Sequence, residues 1–216
     1  MSLQFDIVHV ASWDLLQGAM VTLRITLGAF AIALLTGVPL GVGRSRSAWV
    51  RRISAVYVEA FRGTPLLIQL FFIYYGLPSA GIVLSAEVAA YAGLGLHGGA
   101  YVCEIVRGSL AGVPRGQEEA ALALGMSMPQ TMRHVLLPQA LRTALPPLVN
   151  AYASMLKESS LVSVLAITEL TRVGQLVYTR TFRPFEIYLA VGVLYFVMTW
   201  MATALARRLE ARMHRA

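Results

Sequence analysis

Cysteine, lysine and charged residues in general are scarce in this sequence, and each scarcity excludes something. Among 216 residues there is a single cysteine, Cys103, so the chain can close no internal disulfide and build no thiol metal site. The single lysine, Lys157, follows Leu156, so the Gly-Lys pair of a phosphate-binding P-loop is absent and ATP cannot bind by that route. Only 13% of the residues are charged, which is too few to cover a soluble domain.

Apolar residues are abundant instead. They make up 57% of the chain, and the mean hydropathy is +0.64, which predicts an all-α protein that crosses a membrane several times. A net charge of +7 would suggest a nucleic-acid partner in a soluble protein. Here most arginines lie in short loops and in the C-terminal tail, so membrane topology explains the charge better. The first residues lack the basic region and cleavage site of a signal peptide.

Five apolar segments have about the ~20 residues that a helix needs to cross a bilayer. In chain order they cover residues 18–43, 53–77, 82–106, 138–167 and 185–206. We therefore divide the chain into an interfacial N-terminal segment (1–17), a transmembrane domain (18–206) and a basic tail (207–216), and we interpret residues 168–184 as a polar loop. Small residues recur at spacings of four in the first and third segments, which allows helices to approach closely; they are Ala29, Ala33, Gly37, Gly41, Gly95 and Gly99.

The arginines predict the orientation, because short loops rich in arginine stay in the cytoplasm. One side of the membrane receives Arg44, Arg46, Arg51, Arg52, Arg107, Arg115, Arg133, Arg207, Arg208, Arg212 and Arg215. The other side receives Arg172, Arg180 and Arg183. Five spans with the N-terminus outside and the C-terminus inside satisfy this distribution.

One long loop, residues 113–138, is predicted to be a cytoplasmic helix–turn–helix. Acidic residues follow Gly116 in a first helical turn, and Gly125 ends that helix as a left-handed residue does. Ser127 caps a second helix with Pro129 in its first turn, and Pro138 ends it. The apolar residues of this segment are expected to form a ridge that consists of Leu122, Leu124, Met126 and Met128. The alternatives are an ordinary amphipathic loop helix and a docking element for another protein.

The spacing within this loop resembles the EAA motif (EAA-x3-G-x9-I-x-LP) of the permease subunits of ABC importers. The matching residues are Glu119, Ala120, Ala121, Gly125, Val135, Leu137 and Pro138, and valine replaces the usual isoleucine at Val135. Residues 58–78, 98–110 and 156–175 also resemble polar amino acid permeases, and the two ends of the chain look most like the glutamine-type members.

The resemblance implies a type I importer in a bacterial inner membrane. It implies a second permease subunit, identical or different, two cytoplasmic ATPases that bind ATP and Mg²⁺, and an external substrate-binding protein. This chain would bind no cofactor itself and would have no enzymatic activity. It would contact the ATPase through the coupling residues Glu118, Glu119, Ala120, Ala121, Leu122 and Gly125.

Ionisable residues inside a membrane are costly and are candidates for function. An amino acid has an ammonium group and a carboxylate. Glu59 or Glu158 could bind the ammonium, and Arg62 or Lys157 the carboxylate, with Ser159 beside them.

These candidates have structural alternatives as well. Glu59 and Arg62 lie three apart on one helix face and could pair with each other. Glu104 and Arg107 have the same spacing, and for them we favour a structural pair. The first alternative function is a secondary transporter or channel driven by an ion gradient, with Glu59 or Glu104 as the proton site. A membrane-embedded enzyme is less favoured, because no spacing suits a metal site or a nucleophile and base.

Overall fold

The computed structural model describes residues 6–213, and these residues form helices connected by short turns. The α-helices are α1 (Asp6–Arg46), α2 (Ala48–Gly63), α3 (Leu66–Phe71), α4 (Ala86–Ala111), α5 (Arg115–Ala123), α6 (Met128–Thr131), α7 (Leu137–Glu158), α8 (Leu170–Thr181) and α9 (Pro184–Met213). A π-helical turn, Phe72–Gly76, and a 3₁₀ turn, Leu77–Ala80, extend α3. A π-helical turn, Met132–Leu136, joins α6 to α7, and a 3₁₀ segment, Ser159–Leu165, follows α7.

Helices α1 and α4 pack against each other through the two predicted rows of small residues. Ala29 and Ala33 are fully buried. A Cβ atom added at Gly37 would lie 2.5 Å from the carbonyl oxygen of Gly99, and one at Gly41 would lie 2.7 Å from that of Cys103. Because only glycine lets two backbones come this close, the prediction of close helix packing is confirmed.

The predicted second span is bent rather than straight. Its two parts, α2 and the helical run from Leu66 to Ala80, meet at an angle of 106°. Thr64 is extended, with φ −120° and ψ 145°, because the ring of Pro65 disfavours the helical conformation for the residue before it. Gln69 holds the break together, since its Nε2 donates to the carbonyl oxygens of Phe61, at 2.8 Å, and Thr64, at 3.0 Å.

The predicted polar loop 168–184 is largely helical, which corrects the sequence interpretation. The 3₁₀ segment ends at Ala166, which has a left-handed backbone (φ 60°). Helix α8 then begins, and it makes an angle of 54° with the helical run that ends at Leu165. Glu169 starts α8 because its carboxylate accepts hydrogen bonds from the backbone amides of Thr171, at 2.9 Å, and Arg172, at 2.8 Å.

The same buried carboxylate joins three helices. Tyr195 of α9 donates its hydroxyl to Glu169 Oε2 at 2.8 Å, and Thr22 of α1 donates to that oxygen at 3.4 Å. The Thr22 hydroxyl in turn accepts from the amide of Leu170 at 3.1 Å. Glu169 is fully buried, so these bonds offset the cost of placing a carboxyl group in the core.

The described residues contain two helices that are long and apolar enough to cross a membrane, Asp6–Ser45 and Pro184–Arg208. The number rises to four if each bent pair counts as one span. The predicted third span coincides with α4, a 26-residue helix rich in glycine that lies outside this count. Helix α1 begins at Asp6, so residues 6–17 continue into the first predicted span without a break.

Candidate functional site

The 113–138 segment forms the predicted helix–turn–helix. Helix α5 ends where predicted, since Gly125 is left-handed with φ +80°. The backbone amide of Ser127 donates a hydrogen bond to Gln130 Oε1 at 2.8 Å, which fixes the start of α6. One detail of the sequence interpretation is wrong: Pro138 does not end the second helix. It lies in the first turn of α7, where a missing N–H is tolerated, so α6, the π-helical turn and α7 form one helical run.

The predicted apolar ridge of this segment is exposed except at Met126, which is half-buried. Leu124 has 84% of its surface accessible, Leu122 42% and Met128 37%. Ala121 is buried at 4%, and it attaches α5 to the rest of the protein. A row of large exposed apolar side chains on a loop is typical of a surface that contacts another protein.

A cavity of about 250 Å³ lies between α4 and α7. Its polar lining on α7 comes from Asn150, Ser154 and Glu158, which recur every four residues and therefore share one helix face. On the facing side, His97 and Tyr101 of α4 have the same spacing. Two polar stripes on neighbouring helices therefore meet across one space.

Hydrogen bonds indicate that Nδ1 of the His97 ring carries a proton. Gln69 Nε2 donates to two carbonyl oxygens at the α2–α3 break, so Gln69 Oε1 is an acceptor. His97 Nδ1 lies 3.0 Å from that oxygen and must carry the proton. In the neutral ring Nε2 is then an acceptor, and it lies 3.9 Å from Glu158 Oε2. The cavity therefore presents two hydrogen-bond acceptors side by side.

The predicted site residues are only partly brought together. Glu158 lines the cavity, and the Arg62 guanidinium lies 5.2 Å above the ring of Tyr101, which lines it too. Glu59 and Lys157 lie on exposed surfaces. Ser159 is 1% exposed, and its hydroxyl donates to the Leu156 carbonyl at 2.7 Å instead of facing the cavity.

The spacing of three residues suggested two ion pairs, Glu59 with Arg62 and Glu104 with Arg107, and the structure contains one of them. Among the described residues no ion pair joins Glu59 to Arg62. Glu104 and Arg107 do form the favoured structural pair, with 2.9 Å between Nη2 and Oε2. Arg44 of α1 pairs with the same carboxylate, so Glu104 connects two helices.

Sequence reasoning did not single out His97, Asn150 or Ser154 for this site. The spacing of four between Asn150, Ser154 and Glu158 was a usable signal, because it places three polar side chains on one face of a helix. No comparable signal identified His97, since its partners Gln69 and Glu158 are far away in the chain.

Bent apolar helices, an open cavity with polar side chains between two of them, and an exposed loop helix are features expected of a membrane permease that works with another protein. The family model described as "Binding-protein-dependent transport system inner membrane component" matches residues 25–215. The chain belongs to this family and is a permease subunit of an ATP-driven importer. Its homologues are permease subunits rather than ATPases. This assignment replaces the alternative of a transporter driven by an ion gradient.

Individual relatives are similar over nearly the whole chain. The glutamine transport system permease protein GlnP of Escherichia coli (strain K12) is 40% identical over 98% of this chain and 99% of its own length. The L-cystine transport system permease protein TcyB of Bacillus subtilis (strain 168) is 33% identical over 99% and 93%. The crystal structure of an amino acid ABC transporter with histidines matches with a TM-score of 0.92 at 37% identity, covering 98% of this chain and 100% of that chain.

Proposed function

We propose that the chain forms part of the translocation path for a polar amino acid and that the cavity between α4 and α7 contacts this substrate. The observation that carries the proposal is the meeting of two polar helix faces, with Glu158 on one and His97 on the other. The relatives named for glutamine, for L-cystine and for an amino acid transporter support the substrate class.

The cavity chemistry suits an ammonium or another group rich in N–H donors. Glu158 offers carboxylate oxygens, and His97 Nε2 offers a lone pair beside them. Asn150 and Ser154, on the same face of α7 as Glu158, each supply both donors and acceptors. Arg62, held above the lining residue Tyr101, is our candidate for the group that binds the substrate carboxylate. The cavity lining does not include Glu59, Lys157 or Ser159, so their substrate contacts remain predictions from the sequence.

Substrate-stimulated ATPase activity of the assembled transporter in proteoliposomes tests the role of Glu158. Glu158→Gln removes a charge-assisted hydrogen bond worth about 1.5–3 kcal/mol, so the half-saturating substrate concentration should rise roughly tenfold or more. Glu87→Gln is the control, because Glu87 is an exposed residue at the start of α4 that pairs with Arg24. If both variants respond to substrate as the wild type does, the proposed role of Glu158 is wrong.

We also propose that α5 and the turn after it dock on a separate cytoplasmic ATPase. The coupling residues are Glu118, Glu119, Ala120, Ala121, Leu122 and Gly125, and the exposed side chains of Leu122, Leu124 and Met128 support such a contact. Leu124→Asp should reduce recovery of the ATPase with the purified permease, since a charge would be buried at an apolar contact. Trp49→Asp, at an exposed apolar residue between the first two predicted spans and outside α5, is the control. Equal ATPase recovery with both variants would contradict the docking proposal.

The remaining organisation is proposed from the arginine distribution and the family. It comprises five spans with the N-terminus outside and the C-terminus inside, with 1–17, 18–206 and 207–216 as the three regions, in a bacterial inner membrane. Two permease subunits, identical or different, would face each other. Two ATPases would bind ATP and Mg²⁺, while this chain binds no cofactor, and a substrate-binding protein would deliver the amino acid.

Protease protection of tags placed at the two ends tests the orientation: accessibility of both tags from one side would contradict it.

A further inference from the structure

A second cavity, of about 350 Å³, lies next to the 113–138 segment and away from the substrate cavity. It is formed where the end of α1, the start of α2, the end of α4, the start of α5 and the π-helical turn before α7 meet. We name it the arginine cavity, because its lining includes Arg44, Arg51, Arg107 and Arg115. Among the proposed coupling and substrate residues, Glu118 alone lines it.

The arginine cavity carries more positive charge than its neighbours neutralise. The Glu104 carboxylate pairs with both Arg44 and Arg107, so one negative charge serves two guanidinium groups. Glu118 is the one carboxylate in the lining, and it has a partner of its own. Arg51 and Arg115 are exposed and form no ion pair within the part of the chain that the structure describes.

The arginine cavity also contains an unsatisfied donor. Arg44 is 13% exposed at its side chain, and its Nε atom is buried without a hydrogen-bond partner among the described residues. A buried N–H without an acceptor costs free energy, and an oxygen-rich anion can remove that cost. Guanidinium groups arranged around a space suit phosphate in particular, because each offers parallel N–H donors.

The lining of the arginine cavity also includes apolar side chains. Among them are Leu110, Val113 and Leu136. An anionic phospholipid has this combination, since its charged phosphate is joined through glycerol to apolar acyl chains. A basic pocket between helices at the cytoplasmic surface of a membrane is a known setting for such headgroups.

We propose that the arginine cavity binds a phosphate group, supplied by an anionic phospholipid of the adjacent leaflet or by free phosphate. Binding would link the end of α1 to the start of α5, and so attach the docking segment to the helix pair that forms the core. This site goes beyond the proposed transport function and does not depend on the identity of the substrate.

The test uses the purified transporter in nanodiscs and a double variant, Arg51→Gln with Arg115→Gln. The control is Arg207→Gln with Arg208→Gln, which removes two exposed arginines outside the cavity. Native mass spectrometry measures retained phosphatidylglycerol against phosphatidylcholine, and a thermal shift in phosphatidylcholine nanodiscs measures binding of inorganic phosphate. Each arginine near an anionic surface changes affinity about fivefold, so the double variant should lose roughly 25-fold in phosphatidylglycerol retention.

The outcomes separate the two sources and the alternatives. Selective loss of phosphatidylglycerol in the cavity variant supports a headgroup, and loss of the phosphate-induced shift alone supports free phosphate. Equal losses in the cavity and control variants would mean a general surface charge effect and would overturn the proposal. Unchanged binding of both probes would overturn it too, and if recovery of the ATPase fell at the same time, the arginines would be assigned to a protein contact instead.

Discussion

The close contact between α1 and α4 at Gly37 gives a sharp test of the fold. Replacing Gly37 with alanine would place a Cβ atom 2.5 Å from the Gly99 carbonyl oxygen and 2.6 Å from Val102 Cβ. Carbon atoms in contact prefer separations of about 3.5–4.0 Å, so the two helices would have to move apart by roughly 1 Å. The obstacle is partly backbone, which cannot rotate away as a side chain can.

The expected magnitude follows from two opposing effects. Forcing extra atoms into a packed core costs about 1–3 kcal/mol. Alanine is favoured over glycine within a helix by up to about 1 kcal/mol, which offsets part of this cost. We therefore expect Gly37→Ala to lower the free energy of unfolding by about 1–2 kcal/mol. Gly108→Ala on α4 is the control, because no atom lies within 4 Å of its added Cβ. It should be neutral or slightly stabilising.

Thermal unfolding of the purified transporter in detergent measures the difference. At about 2–4 °C per kcal/mol for a chain of this size, a loss of about 1–2 kcal/mol should make Gly37→Ala melt roughly 2–8 °C below the wild type, whereas Gly108→Ala should melt at or slightly above it. Transport should fall as well, since α4 carries four lining residues of the proposed substrate cavity. If both alanine variants melt at the same temperature, the two helices are not packed as closely as described.

Three further predictions concern the turn, the buried carboxylate and the bent helix. Gly125→Ala, at φ +80°, should cost about 1–2 kcal/mol in the docking turn and reduce coupled ATPase activity. Gly116→Ala should leave this activity unchanged, because no atom lies within 4 Å of its added Cβ, and equal activities of the two variants would contradict the prediction. Glu169→Gln should lower the free energy of unfolding by about 1–3 kcal/mol, measured by thermal unfolding, whereas Glu87→Gln, at an exposed residue, should change it by less than about 1 kcal/mol. If the two variants unfold alike, the hydrogen bonds of the Glu169 carboxylate do not stabilise the fold as proposed. Gln69→Leu should remove the hydrogen bonds across the break and expose the region to faster amide hydrogen exchange, and unchanged exchange there would show that the bend does not need this side chain.

Local rules predicted the parts of the fold that neighbouring residues determine. The spacing of Gly37 and Gly41 predicted a close helix contact, and the position of Gly125 predicted the end of a helix, because each depends on backbone sterics alone. The end of the second loop helix was predicted wrongly at Pro138, since proline is tolerated in the first turn of a helix as well as after its last.

The features that sequence reasoning missed depend on distant partners. Helix α8 was interpreted as a loop, because its start depends on Glu169, whose other partners Thr22 and Tyr195 come from the first and last helices. His97 belongs to the cavity only because Gln69 and Glu158 approach it from two other helices. Hydropathy and spacing within one helix contain no information about such contacts.

Helices α1 and α4 are expected to behave as a single rigid body. Their backbones are in close contact at the glycines, and so closely packed an interface resists sliding or separation. Any rearrangement that opens the path to one side of the membrane must then be taken up elsewhere, and the two bends, near Pro65 and before Glu169, are the available hinges. Crosslinks that lock α1 to α4 should leave turnover intact, whereas crosslinks across either bend should stop it.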